Sequence, residues 1–242
     1  PMTGLNPLLT VGEQISEMFM VHRGESRQVA KNHAEEMLVR VGIPEARARL
    51  AAMPHELSGG MRQRVMIAIA IACDPRIVIA DEPTTALDVT IQAQILETLR
   101  GLQERSRGML FVSHDLGVIA EVADRVHVMY AGQVVESGSV GAILLRARHP
   151  YTMGLVASVP RIDRPQPRGA ALYSIPGRVP ELARMPAGCR FHPRCAHARA
   201  GLCDRVVPQI EVTEDGGEVR CLRWREIAPT DTLSASQRGS AL

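Results

Sequence analysis

Four apolar residues, Ile77-Val78-Ile79-Ala80, run without a break into two acids and a proline, Asp81-Glu82-Pro83. An uninterrupted apolar run of this kind, bounded by turn-forming residues, reads as a parallel strand covered on both faces. Met109 to Val112 repeats the pattern and ends in Ser113-His114-Asp115. Between them Thr90 to Gln103 is an amphipathic helix; Leu116 to Ala123 is another, and Val126 to Tyr130 a third strand. Strands alternating with helices predict an α/β fold, in which ligands meet the carboxyl ends of the strands. Ala131-Gly132 predicts a hairpin into Gln133 to Glu136.

The rest of the chain divides around this core. Residues 11 to 40 place Ile15, Met18, Phe19, Val29, Met37 and Leu38 at helical spacings among acids and His33, with a break near Gly24. Gly42-Ile43-Pro44 ends the second helix, and a short charged helix stops at Pro54. Ser58 or Gly59 caps a helix from Met61 to Cys73. Most of the 16 prolines lie at or beyond Pro150, and four of the five cysteines lie in the same stretch. Pro160 to Arg168 reads as a linker, and the chain from Thr230 as a frayed end. The expected divisions are a helical region 1–73, an α/β region 74–147 and a Pro/Cys-rich extension 148–242.

Composition narrows the class. Over 242 residues, 45% hydrophobic and 22% charged exclude whole-chain disorder, collagen and a disulfide mini-scaffold. Only 3% are aromatic, so the core must be aliphatic, and a formal charge of +2 does not argue for nucleic acid. No apolar run approaches the roughly 18 residues that cross a bilayer, and no export signal opens the chain. Any membrane contact is therefore expected to be peripheral.

Three segments carry phosphate chemistry. Ser58-Gly59-Gly60 at a helix start offers backbone N–H groups, a hydroxyl and the positive end of a helix dipole to an anion. Asp81 and Glu82 at a strand end can orient the waters of Mg2+ and polarise an attacking water. His114 after the second strand can contact a terminal phosphate. Taken singly, each has a plainer reading: a glycine turn, two solvated acids, a polar boundary residue. Asp88 reads equally as a helix cap.

Their order resembles the ATP-binding subunits of ABC transporters. Leu57-Ser58-Gly59-Gly60-Met61-Arg62-Gln63-Arg64, the stretch from Ile77 to Asp88, and Phe111-Val112-Ser113-His114-Asp115 carry the resemblance. It implies a P-loop NTPase-type core in which Ser58, Gly59 and Gly60 form the signature motif and Asp81 the Walker B aspartate. Glu82 is then the catalytic carboxylate, Asp88 the D-loop aspartate and His114 the switch histidine. ATP and Mg2+ are the implied cofactors. Arg148-His149-Pro150-Tyr151-Thr152 and Ile175-Pro176-Gly177-Arg178-Val179-Pro180 resemble the C-terminal extension of subunits that import oligopeptides and dipeptides. The implied partners are a second ATP-binding subunit, two transmembrane permease subunits and, indirectly, an extracytoplasmic substrate-binding protein. The implied location is the cytoplasmic face of the inner membrane. Nucleic acid is not expected.

One family element is missing from these residues. A P-loop needs Gly-x-x-x-x-Gly-Lys followed by Ser or Thr, yet the single lysine, Lys31, lies in Gln28-Val29-Ala30-Lys31-Asn32. The expectation is a partial core without the Walker A region. It would complete a partner's ATP site through Ser58 to Gly60 and hydrolyse little ATP alone. The alternative is a non-hydrolysing accessory half or truncated remnant.

Cys189, Cys195, Cys203 and Cys221 are separated by 5, 7 and 17 residues, without the close pair usual for zinc. Spacing alone leaves bound metal and free thiols open. The peptide-importer resemblance implies a four-iron–four-sulfur (4Fe–4S) cluster on these four. Cys73 reads as a small core residue. His149, His192 and His197 read as surface or backbone packing, and Arg190, Arg194 and Arg199 as candidates to offset cluster charge.

Overall fold

The computed structural model describes residues 4–85, 87–103, 108–159 and 173–227. The segments expected to form a linker near 160–168 and a frayed end from Thr230 lie outside these. The chain forms two compact units, Pro1–His114 and Asp115–Leu242. The divisions expected at 73/74 and 147/148 therefore fall inside the first and second unit respectively.

In the first unit, α1 (Val11–Arg23), α2 (Arg27–Arg40), α3 (Ala46–Arg49) and α4 (Gly59–Ile71) precede β1 (Ile77–Asp81), α5 (Val89–Gln103) and β2 (Gly108–Val112). Local chemistry sets the ends of these helices. Thr10 and Glu13 form a reciprocal capping box on α1, and Gly24 closes it at φ 66, a left-handed value that suits a residue without Cβ. Val11, Ile15 and Phe19 from α1 meet Leu38, Val65 and Ile71 in an aliphatic core that also takes in Val78, Ile95 and Leu99. The helical region and the first strand thus share one core.

β1 and β2 pair in parallel, Ile77 opposite Gly108 and Asp81 opposite Val112. Val78 and Ala80 are buried, whereas Ile77 and Ile79 are 68% and 69% exposed. Leu110 and Val112 are exposed on β2. The strands were expected to be covered on both faces; here one face is covered and the other is open and apolar.

In the second unit, α6 (Leu116–Val122), β3 (Arg125–Tyr130), β4 (Gln133–Ser139), α7 (Val140–Leu145) and α8 (Pro150–Ser158) precede two short strands, β5 (Glu211–Val212) and β6 (Glu218–Val219). Their sheet is antiparallel, in the order β3-β4-β6-β5. The hairpin turns at Ala131 and Gly132, both at positive φ, as read from the sequence. The third strand was expected to join the α/β sheet. Its partner among the described residues is β4, the hairpin neighbour read from the sequence, in a sheet separate from β1 and β2.

Candidate functional site

The acids of the first unit sit where the parallel strands end. Glu82 follows β1 with φ 46, a left-handed backbone unusual for a residue with a side chain. Its N–H donates to the Val112 carbonyl at 2.9 Å, which locks the turn to the end of β2. Its carboxylate then faces two side chains. His114 Nδ1 lies 2.9 Å from Oε1, and the Thr85 hydroxyl donates to Oε2 at 2.8 Å. These hydrogen bonds, His114 first and Thr85 second, hold the Glu82 carboxyl below its ordinary value. The shift favours the ionised form, the one that can polarise a water. Asp81 is exposed at the last position of β1.

Ser58 and Asp88 serve the starts of neighbouring helices. The Ser58 hydroxyl accepts from Met61 N at 3.3 Å, and Asp88 Oδ1 accepts from Ile91 N at 2.9 Å. The plain reading of Asp88 as a cap is thus realised. Ser58 is exposed and Gly59 half-buried, while Gly60 is buried against α5. A Cβ on Gly60 would stand 2.5 Å from Ile91 Cγ2, so only glycine lets the two helix starts approach this closely. Lys31 is an exposed residue of α2.

The second unit gathers the four tail cysteines. Cys189, Cys195, Cys203 and Cys221 line one cavity of about 20 Å³, with His149, Phe191 and Arg223 among the other walls. That is room for about one water. All four are free thiols. Among the described residues no group of three or more His, Cys, Asp or Glu is placed to hold a metal ion. Cys189 N donates to the Cys203 carbonyl at 2.9 Å, and Arg199 N to Cys203 Sγ at 3.4 Å. A Cβ on Gly188 would collide with the Cys203 carbonyl, so this crossing also needs glycine. Burial pushes the Cys189 and Cys195 thiols up and that of Cys221 to about 12.

Several residues around the thiols differ from their sequence reading. Arg190 donates to the Ala131 carbonyl, Arg194 to the carbonyls of Ile175 and Pro176, and Arg199 pairs with Glu226. The arginine that lines the cavity is Arg223, which sequence reasoning did not single out. His149 is 1% exposed and caps α8, its Nδ1 accepting from Tyr151 N at 3.1 Å. The His-Pro pair at a helix start was the available signal. Glu136 on β4 accepts from the N–H groups of Arg148 and His149 at 2.7 and 3.0 Å. Thr85 was a further omission; it lies three residues after Glu82 in the same turn.

Comparison with known proteins agrees with this geometry. Residues 2–85 match the ABC transporter family, and residues 135–203 match the oligopeptide/dipeptide transporter C-terminal region. The chain is 56% identical over 232 residues to a peptide import ATP-binding protein of Brucella abortus, spanning 94% of this chain and 68% of that protein. It is 50% identical over 239 residues to the dipeptide transport ATP-binding protein DppD of Bacillus subtilis, spanning 98% and 70%. A dimeric ATP-binding cassette solved after hydrolysis, with ADP and inorganic phosphate bound, superposes with a TM-score of 0.51 at 31% identity, over 57% of this chain and 59% of that one. Identities of 50% and more over nearly the whole chain show its family: the chain belongs to the peptide-import ATP-binding subunits of ABC transporters.

Proposed function

We propose that the chain couples ATP binding and hydrolysis to peptide uptake by completing nucleotide sites in a paired assembly. The observation that carries this is the Glu82 carboxylate, hydrogen-bonded at a strand end to His114 and Thr85. In that reading Asp81 orients the waters of Mg2+, Glu82 polarises the attacking water and His114 meets the terminal phosphate. Ser58, Gly59 and Gly60 present N–H groups to a nucleotide whose phosphates lie in the P-loop of a second ATP-binding subunit. Asp88, at the start of α5 beside that tip, belongs to the same surface. Transmembrane permease subunits are the other direct partners, at the cytoplasmic face of the membrane. No helix among the described residues is long and apolar enough to cross it.

The open apolar face of β1 and β2 supports a core completed by a further packed layer, because parallel strands are ordinarily covered on both faces. The single lysine on α2 favours a second reading, in which these 242 residues serve only a partner's ATP. ATP turnover by the isolated chain, compared with a mixture containing an intact partner subunit, separates the two. Turnover only in the mixture, lost in Glu82→Gln, supports coupled hydrolysis. Turnover unchanged by Glu82→Gln removes the role given to this carboxylate.

We further propose that Cys189, Cys195, Cys203 and Cys221 hold a 4Fe–4S cluster as a structural clip. Support comes from the convergence of four thiols, from separate turns, on one cavity. Four thiolates around one zinc stand about 3.8 Å apart, given Zn–S bonds of 2.3 Å. A cluster also takes four thiolates but bridges a wider set. As they stand, the four thiols enclose room for about one water, which is too small for a cluster. Visible absorption with stoichiometric iron and sulfide, lost in Cys203→Ser, is the expected result; colourless protein with stoichiometric zinc would refute the cluster.

A further inference from the structure

Resting on the reading of Glu82 as the carboxylate that polarises the attacking water, we infer that Thr85 is its positioning residue: a fixed anchor that aims the carboxylate, with His114 as the movable one. The Glu82 side chain is 41% exposed, so close packing does not choose its conformation. The last torsion of a glutamate is intrinsically loose as well. Hydrogen bonds must therefore do the aiming, and each carboxylate oxygen meets a side chain. His114 Nδ1 lies 2.9 Å from Oε1, and the Thr85 hydroxyl donates to Oε2 at 2.8 Å. A partner on one oxygen lets the carboxylate swing about that contact; partners on both fix its plane.

The two partners are held differently. Thr85 closes the turn that Glu82 opens, its N–H donating to the Glu82 carbonyl at 3.2 Å. Pro83, buried, fixes φ at the second position of that turn. The Glu82 N–H is committed to the Val112 carbonyl at 2.9 Å, which pins the turn to the end of β2. The Thr85 hydroxyl sits on a β-branched side chain, stiff at χ1. Hydroxyl and carboxylate are thus tied through a short, closed piece of backbone. His114 instead reaches Glu82 from the segment after β2, and its side chain is 73% exposed. An imidazole so placed can leave the carboxylate for a phosphate, the role proposed for it, while the hydroxyl stays with Glu82. The turn itself does not need the hydroxyl, because a backbone N–H closes it. What the hydroxyl adds is the second hold on the carboxylate.

The test is ATP turnover by the full chain mixed with an intact partner subunit, for wild type, Thr85→Val, Thr85→Ser and Glu82→Gln. Valine keeps the shape and the backbone N–H and removes the donor; serine keeps the donor. The expected result for Thr85→Val is a kcat lower by about 10-fold or more, the weight of a hydrogen bond to a charged group. KM for ATP and the urea midpoint of the chain should stay as in wild type. Thr85→Ser should restore most of kcat. On top of Glu82→Gln, Thr85→Val should cost nothing further, since it acts only through that carboxylate. A wild-type kcat in Thr85→Val, a full loss on top of Glu82→Gln, or Thr85→Ser as slow as Thr85→Val would overturn the assignment. If Glu82→Gln itself leaves turnover unchanged, the reading of Glu82 fails separately. Side-chain NMR couplings of Glu82 in the full chain then decide about Thr85: one rotamer in wild type and averaging in Thr85→Val supports it, and identical couplings sink it.

Discussion

His114 Nδ1 lies 2.9 Å from Glu82 Oε1, so the histidine that follows β2 lowers the carboxyl value of the acid that follows β1. The parallel register makes this possible, because Asp81 stands opposite Val112 and both chains turn at the same level.

Replacing His114 by Ala removes the first cause of the lowered Glu82 value. The Glu82 carboxyl is expected to titrate closer to the ordinary 4.5. Carboxyl-carbon NMR of the two chains against pH reads this directly; an unmoved midpoint would remove His114 as the controlling partner. In the paired assembly, Glu82→Gln is expected to lower ATP turnover about 10²- to 10⁴-fold, the usual contribution of a positioned general base.

Gly60→Ala places a methyl group 2.5 Å from Ile91 Cγ2. The two helix starts must separate, at about 1–3 kcal/mol of stability. Urea unfolding measures this, and adding Ile91→Ala is expected to recover a good part. Full stability in Gly60→Ala alone would mean that α4 and α5 do not meet closely here.

Asp88→Ala removes the acceptor for Ile91 N and is expected to destabilise the chain by about 1 kcal/mol. Asp88→Asn keeps an acceptor and should melt like wild type. Lower turnover in the assembly with Asp88→Asn would then report a need for the charge, distinct from the cap.

His149 is buried neutral, and burial depresses it from 6.5 to about 3. The unfolded chain binds that proton first as pH falls. The stability from burying the neutral ring is complete above 6.5 and is lost as pH drops from 6.5 toward 3, by at most about 1.4 kcal/mol per pH unit. Glu136 acts in the opposite sense, since burial raises its carboxyl above 4.5 and the folded chain takes that proton first. Urea midpoints should therefore fall with pH below 6.5 and level off as Glu136 protonates. His149→Asn should flatten the upper part of the curve; an identical slope would show that another group controls it.

Much of the first site was legible along the chain. Asp81, Glu82 and His114 stand at apolar-to-polar boundaries that mark strand ends, and the capping roles of Ser58 and Asp88 depend only on residues within one turn. Thr85 and the left-handed backbone of Glu82 were not legible. Both follow from the hydrogen bond to Val112, a residue that strand pairing brings near. The second site was legible only as four cysteines. Arg223 reached their cavity while Arg190, Arg194 and Arg199 were drawn to carbonyls and an acid elsewhere. Residue type was the same in all four, so only position could separate them.

Helix starts, the hairpin at Ala131-Gly132 and the family of the chain were settled by residue order, since caps, turns and periodicity act over a few neighbours. Long-range packing decided the rest. It left one face of β1 and β2 open, set β6 beside β4, and turned His149 inward to line the cavity of the four cysteines. Contacts of that kind depend on which distant segments can lose water together, and no local pattern of side chains records it.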